Sequence, residues 1–71
     1  MEKFVVGIVH NPHKDNELTT VVGMEFLDCP GFYQFYSTCD LGHFRKRPTR
    51  FDILHEIGRD VFAALKFDGF C

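Results

Sequence analysis

Residues 3–10 read Lys-Phe-Val-Val-Gly-Ile-Val-His, and the fold is best derived from this stretch outward. β-Branched and aromatic side chains dominate it, which favours a β-strand. Residues 18–27 and 32–38 have the same character, being rich in Val, Thr, Phe and Tyr, and they predict two further strands. The connections between the three stretches are short, and short connections indicate an antiparallel meander.

Turn-forming residues separate these strands. Asn11-Pro12 opens a polar cluster after the first strand. Pro30-Gly31 follows the second, because proline presets φ at one turn position and glycine accepts the positive φ that a type II turn requires next. Gly23 lies inside the second strand and predicts either a bulge or a close backbone approach.

The hydrophobic period changes from that of a strand to that of a helix after Pro48. Phe51, Leu54, Ile57, Val61 and Leu65 recur at intervals of three and four residues. These intervals predict a helix over residues 50–66, with Thr49 as its N-cap and Asp52 completing a weak capping box. The expected fold class is α+β, with order β-β-β-α: a three-stranded antiparallel meander with one C-terminal helix packed on one face.

Both faces of this predicted sheet are apolar. In the first strand, Val5 and Val9 point away from Phe4 and Ile8, and the other two strands show the same pattern. One helix of about seventeen residues is about 25 Å long and can cover only one face. An exposed apolar face on a small protein typically marks an interaction surface. The alternative is that residues 67–71 and 41–48 fold over that face.

The second face therefore supplies the candidate protein-binding residues. Tyrosine is suited to such a surface, because its ring can be buried while its hydroxyl finds a polar partner. A basic cluster would add orientation and faster association. The full candidate set is Val21, Leu27, Tyr33, Phe35, Tyr36, Arg45, Lys46, Arg47 and Arg50.

Length and composition restrict the remaining possibilities. The chain has 71 residues, of which 45% are hydrophobic and 15% aromatic, so we expect one folded domain over residues 1–71. No apolar run is long enough to cross a bilayer, and the first residues lack the order of a secretory signal. We therefore expect no membrane association and a cytoplasmic location.

The basic residues are concentrated in one segment. Residues 45–50 hold four of the eight Lys and Arg residues, which leaves four basic against ten acidic residues elsewhere. A nucleic-acid-binding module that uses the basic loop 43–51 is therefore an alternative function, in which cations bind phosphates while Phe44 or Phe51 stacks on a base. Its candidate residues are Phe44, Arg45, Lys46, Arg47 and Arg50. The acidic remainder of the chain argues against it, since it would repel nucleic acid.

The cysteines and histidines give little support for a metal site. Three cysteines cannot form a closed disulfide framework, and reduced thiols are the simplest expectation. Cys39 and His43 have a usable ligand spacing, but paired close spacings of the structural zinc type are missing. We expect no cofactor, and Cys39 and His43 remain weak metal candidates.

Catalytic motifs are also missing from the sequence, and a domain of this size is expected to offer little concave pocket. We therefore expect a non-enzymatic protein that acts by contact with another protein, as an inhibitor, adaptor or regulatory subunit. Small domains without motifs are common among the proteins with which viruses and mobile elements block host machinery. A further alternative is self-association into a homo-oligomer through the free face of the sheet.

Overall fold

Five strands form one antiparallel sheet, and a single helix follows them in the described part of the chain. The computed structural model describes residues 3–15, 17–37 and 42–68. The sheet order is β4-β3-β2-β1-β5, so the last strand pairs with the first. The elements are β1 (Phe4–Asn11), β2 (Glu17–Glu25), β3 (Tyr33–Ser37), β4 (His43–Lys46), β5 (Ile53–Ile57) and α1 (Arg59–Asp68).

The first three strands and the turn before the third agree with the sequence prediction, and so does the α+β class with a C-terminal helix. Gly31 has φ of 85°, and the Phe32 N–H donates to the carbonyl oxygen of Cys29 at 3.0 Å, which closes the predicted turn. Gly23 marks a close approach rather than a bulge, since a Cβ there would lie 2.6 Å from the Phe35 ring.

The prediction of three strands is wrong, because β4 and β5 extend the sheet at both edges. Strand β4 lies in the segment that the sequence indicated as a basic loop. Three of its four residues are His43, Arg45 and Lys46, and polar side chains of this kind conceal an edge strand from a pattern of alternating apolar residues.

The predicted helix over residues 50–66 is also wrong in its first half. Residues 53–57 form β5, and the helix begins only at Arg59, where the Phe62 N–H donates to the Gly58 carbonyl at 3.0 Å. The predicted capping contact between Thr49 and Asp52 is present: the Thr49 N–H donates to Asp52 Oδ2 at 2.8 Å. It closes a turn that leads into a strand, because β1 offers β5 a second row of hydrogen-bonding groups.

Each face of the sheet has its own core. On the outer face, Phe62 of α1 packs with Phe4 and Val22. On the inner face, the buried side chains come from four strands without help from the helix: Val5, Val9, Val21, Tyr33, Phe35 and Phe44. The expectation that this second face is uncovered is therefore wrong.

Curling of the sheet explains how the inner face is covered. Lys46 on β4 and His10 on β1 are three strands apart, which in a flat sheet is about 14 Å. Nevertheless, Lys46 Nζ donates to the His10 carbonyl at 3.0 Å, and the rings of His13 and Phe44 are 6.3 Å apart. The sheet must bend strongly for these contacts to form, and the connection from β4 to β5 then crosses the inner side.

Candidate functional site

Three of the predicted protein-binding residues lie inside the inner core. Val21 and Phe35 have 0% exposure and Tyr33 has 7%. The Tyr33 and Phe35 rings stack at 5.6 Å, and Phe35 is also 5.6 Å from Phe44. Val21 and Phe35 stabilise the fold and present no surface to a partner, because the curled sheet encloses them, whereas Tyr33 keeps a small exposed part of its side chain.

Tyr36 and Leu27 occupy two other places. Tyr36 lies on the outer face beside α1, where Lys66 Nζ is 4.3 Å from its ring centroid and the Phe62 ring is 6.2 Å away. Leu27 is exposed in the connection between β2 and β3. The predicted set therefore does not form one surface.

The basic residues also diverge. Arg45 points to the outer face, where its Nε donates to Gln34 Oε1 at 2.9 Å and its guanidinium lies 5.2 Å from the Phe26 ring. Lys46 points inward, and the Arg50 guanidinium lies 5.0 Å from the Phe51 ring centroid. Of the two rings that the nucleic-acid alternative offered for stacking, Phe44 is buried and Phe51 is exposed.

The metal candidates find no support in the described residues. His43 is exposed on β4, and Cys39 lies outside the part of the chain that the structure describes. Within residues 3–15, 17–37 and 42–68, no group of three His, Cys, Asp or Glu side chains is close enough together to hold a metal ion.

An open cleft of about 600 Å³ lies on the inner side of the sheet. Its floor is apolar, formed by Val5, Tyr33 and Leu54. Pro30 and Pro48 also line it. A volume of 300–1,000 Å³ is typical of ligand sites, so the expectation that so small a domain would lack such a pocket is wrong.

Charged residues line the cleft together with this apolar floor. Lys3 precedes β1, Arg47 follows β4, and Glu56 lies on β5, and all three are exposed. Two cations against one carboxylate give the cleft a local charge of opposite sign to the chain, whose net charge is −2. An acidic group would therefore be attracted to the cleft.

Asp52 fixes the segment that carries Arg47 and Pro48. Its side chain has 0% exposure and lies 3.1 Å from Lys46 Nζ. Asp52 Oδ1 also accepts the backbone N–H of His10 at 3.0 Å. Burial raises the pKa of this carboxyl, but hydrogen bonds from the Thr49 and His10 N–H groups and from Lys46 outweigh it and lower the pKa from 3.8 to about 2. The cleft wall is thus held in place by an ionised, fully bonded side chain.

Sequence reasoning placed Arg47 in a binding surface but missed Lys3, Val5, Leu54 and Glu56. These residues are far apart in the chain, and only the pairing of β1 with β5 brings them to one end of the sheet. No local pattern could have indicated this. The one sequence feature that could have pointed to the cleft was Arg47 followed by Pro48, because proline restricts the backbone next to the cation.

The lining of the cleft combines apolar side chains with the charged side chains of Lys3, Arg47 and Glu56. Its apolar floor can accept a hydrocarbon side chain, and Lys3 and Arg47 can bind a carboxylate beside it.

The ten residues of α1, the helix of the described part of the chain, are too few to span a membrane. We compared the chain with models of protein families, with curated proteins and with solved structures, and it matches none of them.

Proposed function

We propose that this protein is a non-catalytic binding module that holds a short acidic segment of a partner protein in the inner cleft. The cleft itself carries the proposal: an apolar floor of Val5, Tyr33 and Leu54 lies together with two cations. An apolar side chain of the peptide would lie on the floor, and a carboxylate of the same peptide would bind Lys3 or Arg47. An inhibitor, adaptor or regulatory subunit acts through contacts of this kind.

The arrangement of the basic residues favours protein over nucleic acid as the partner. Phosphate binding gains affinity from several cations that contact one backbone together. Here Arg45 lies on the outer face, and Lys46 is bonded to Asp52 on the inner side. The positive charge that the sequence concentrates in six residues is therefore divided between the two faces.

Selection from a displayed library of random peptides tests the proposal even though the partner is unidentified. We expect the selected peptides to combine an acidic residue with an apolar one. Chemical shift changes on binding should centre on Val5, Tyr33 and Leu54. Changes centred elsewhere, on α1 for example, would contradict the cleft as the site.

Arg47→Glu provides the decisive variant, and Arg50→Glu is its matched control. Both reverse one positive charge on the same connection, but only Arg47 lines the cleft. We expect Arg47→Glu to weaken the selected peptides roughly tenfold or more, which is about 1.4 kcal/mol, and Arg50→Glu to change little. Equal losses in both would indicate a general charge effect.

Tight, steeply salt-dependent binding of single-stranded DNA that Arg45→Glu abolishes would instead favour the nucleic-acid alternative.

A further inference from the structure

The outer edge of β5 has no strand beside it in the described part of the chain, because β5 is the last strand in the sheet order. Such an edge presents unpaired backbone N–H and C=O groups. The two edge strands of this sheet differ in how well their side chains oppose pairing with a further strand. Strand β4 reads His-Phe-Arg-Lys, and its charges oppose addition of another strand. Strand β5 reads Ile-Leu-His-Glu-Ile, without lysine, arginine, proline or a break in its register with β1.

Apolar surface continues from this edge onto the outer face. Ile53 is 60% exposed and pairs directly with Ile8 of β1, which is 42% exposed. The helix α1 packs on the same face over Phe4 and Val22 and leaves Ile53 and Ile8 uncovered. An edge strand with an exposed isoleucine is normally avoided unless another strand covers it.

We propose that β5 pairs with β5 of a second copy of this chain, antiparallel and about a two-fold axis at His55. In this register Ile53 lies opposite Ile57 of the second copy, and Glu56 lies opposite Leu54. Acidic side chains are thereby kept apart, and the exposed Ile53 gains an apolar neighbour. The two five-stranded sheets become one ten-stranded sheet.

A second copy suits this edge better than an unrelated strand. The sequence of β5 is apolar at both ends and has its single acidic residue off-centre, so it is complementary to its own reverse. Pairing about a two-fold axis also uses the β5 edge of each copy and leaves only the charged β4 edges at the ends of the joint sheet, which closes the assembly at two copies. The pairing needs no bound peptide, since it is made by the backbone edge of β5, although Leu54 and Glu56 of this strand also line the cleft.

Sedimentation velocity over a concentration series is the first test, and we expect a monomer–dimer equilibrium. His55→Glu places two carboxylates opposite each other at the axis and should shift the protein to monomer, as should Ile53→Lys. His43→Glu is the matched control: it makes the same change at an exposed histidine on the same face, but on the opposite edge strand. It should leave the dimer intact. Circular dichroism confirms that each variant is folded.

Other outcomes overturn the proposal. A wild-type monomer at every concentration would overturn it, and so would a dimer that His55→Glu leaves intact. Leu18→Lys distinguishes edge pairing from packing of the outer faces, since Leu18 is exposed on that face but lies on β2. A dimer that Leu18→Lys disperses and His55→Glu does not is a face-to-face pair.

A cysteine cross-link tests the register. In a chain with Cys29→Ser, Cys39→Ser and Cys71→Ser, we expect His55→Cys to oxidise rapidly to a covalent dimer, because residues directly opposite in an antiparallel pair have Cα atoms about 4.5–5.5 Å apart. His43→Cys in the same chain should remain monomeric. Equal cross-linking of the two variants would overturn the proposed axis.

Discussion

Lys46 Nζ lies 3.1 Å from Asp52 Oδ2, and this ion pair joins the last residue of β4 to the residue directly before β5. The two side chains are 16% and 0% exposed, so water screens the pair poorly. Together with the bond from the His10 N–H to Asp52, the pair fixes the connection that crosses the inner side of the sheet. The position of Arg47 in the cleft therefore depends on Asp52.

The lowered pKa of Asp52 predicts how stability varies with acidity. The pKa is about 2 in the folded protein against a usual value of 3.8. The native state therefore gains about 2 kcal/mol from the ionised carboxylate above pH 4, and this gain is lost as pH falls from about 4 towards 2. Urea unfolding at several pH values should show that Asp52→Asn is less stable near neutral pH and loses less on acidification. Parallel pH profiles for the two proteins would contradict this.

The Lys46–Asp52 pair should be energetically coupled. Lys46→Met leaves a buried carboxylate without its cation, and we expect a loss of about 2–3 kcal/mol in the free energy of unfolding. In a double-mutant cycle with Asp52→Asn, the coupling energy should be about 1–3 kcal/mol. Arg47→Met is the control, because Arg47 is exposed, and it should change stability by less than about 0.5 kcal/mol. Additive effects of the two substitutions would show that the contact contributes nothing.

Gly7 is required for the pairing of β1 with β5. A Cβ at this position would lie 1.9 Å from the backbone oxygen of Ile53, and backbone cannot move aside as a flexible side chain can. We expect Gly7→Ala to cost about 3 kcal/mol or more and to increase amide exchange in β5. Gly58→Ser is the control, since a Cβ at Gly58 meets nothing within 4 Å. A fully stable Gly7→Ala variant would mean that β5 does not pair as described.

Phe35 should contribute to stability rather than to binding. It is fully buried between Tyr33 and Phe44, so Phe35→Ala should cost about 3–5 kcal/mol. Phe51→Ala removes the same ring from an exposed position and should change stability by less than about 0.5 kcal/mol. Thermal and urea unfolding compare the two variants. If Phe35→Ala folds as stably as the parent chain, the inner core has been placed incorrectly.

The elements that the sequence predicted correctly are those set by local chemistry. Strands β1 to β3 carry β-branched and aromatic residues, and the Pro30-Gly31 turn follows from the backbone preferences of its two residues. The contact between Thr49 and Asp52 was also predictable, because its two partners are only three residues apart. The same residues did not predict that this turn leads into a strand and not into a helix.

The elements that the sequence missed depend on distant partners. The spacing of Phe51, Leu54 and Ile57 fits a helix, but residues 53–57 become a strand because β1 has a free edge for them. The predicted binding residues do not share one surface for a related reason: Tyr33 and Phe35 would be exposed on a flat sheet, whereas the curled sheet encloses them. The close approaches at Gly7 and Gly23 accompany this strong bending, and tertiary contacts of that kind leave no local pattern in the sequence.

The position of β1 between β2 and β5 has a consequence for synthesis of the chain. Strands β1 to β4 can assemble from neighbouring hairpins as they leave the ribosome, but the pairing that completes the sheet must wait for residues 53–57. Until then β1 is an unprotected edge lined by Phe4, Val6 and Ile8. A released chain truncated before Ile53 would therefore keep this edge exposed and be prone to aggregate.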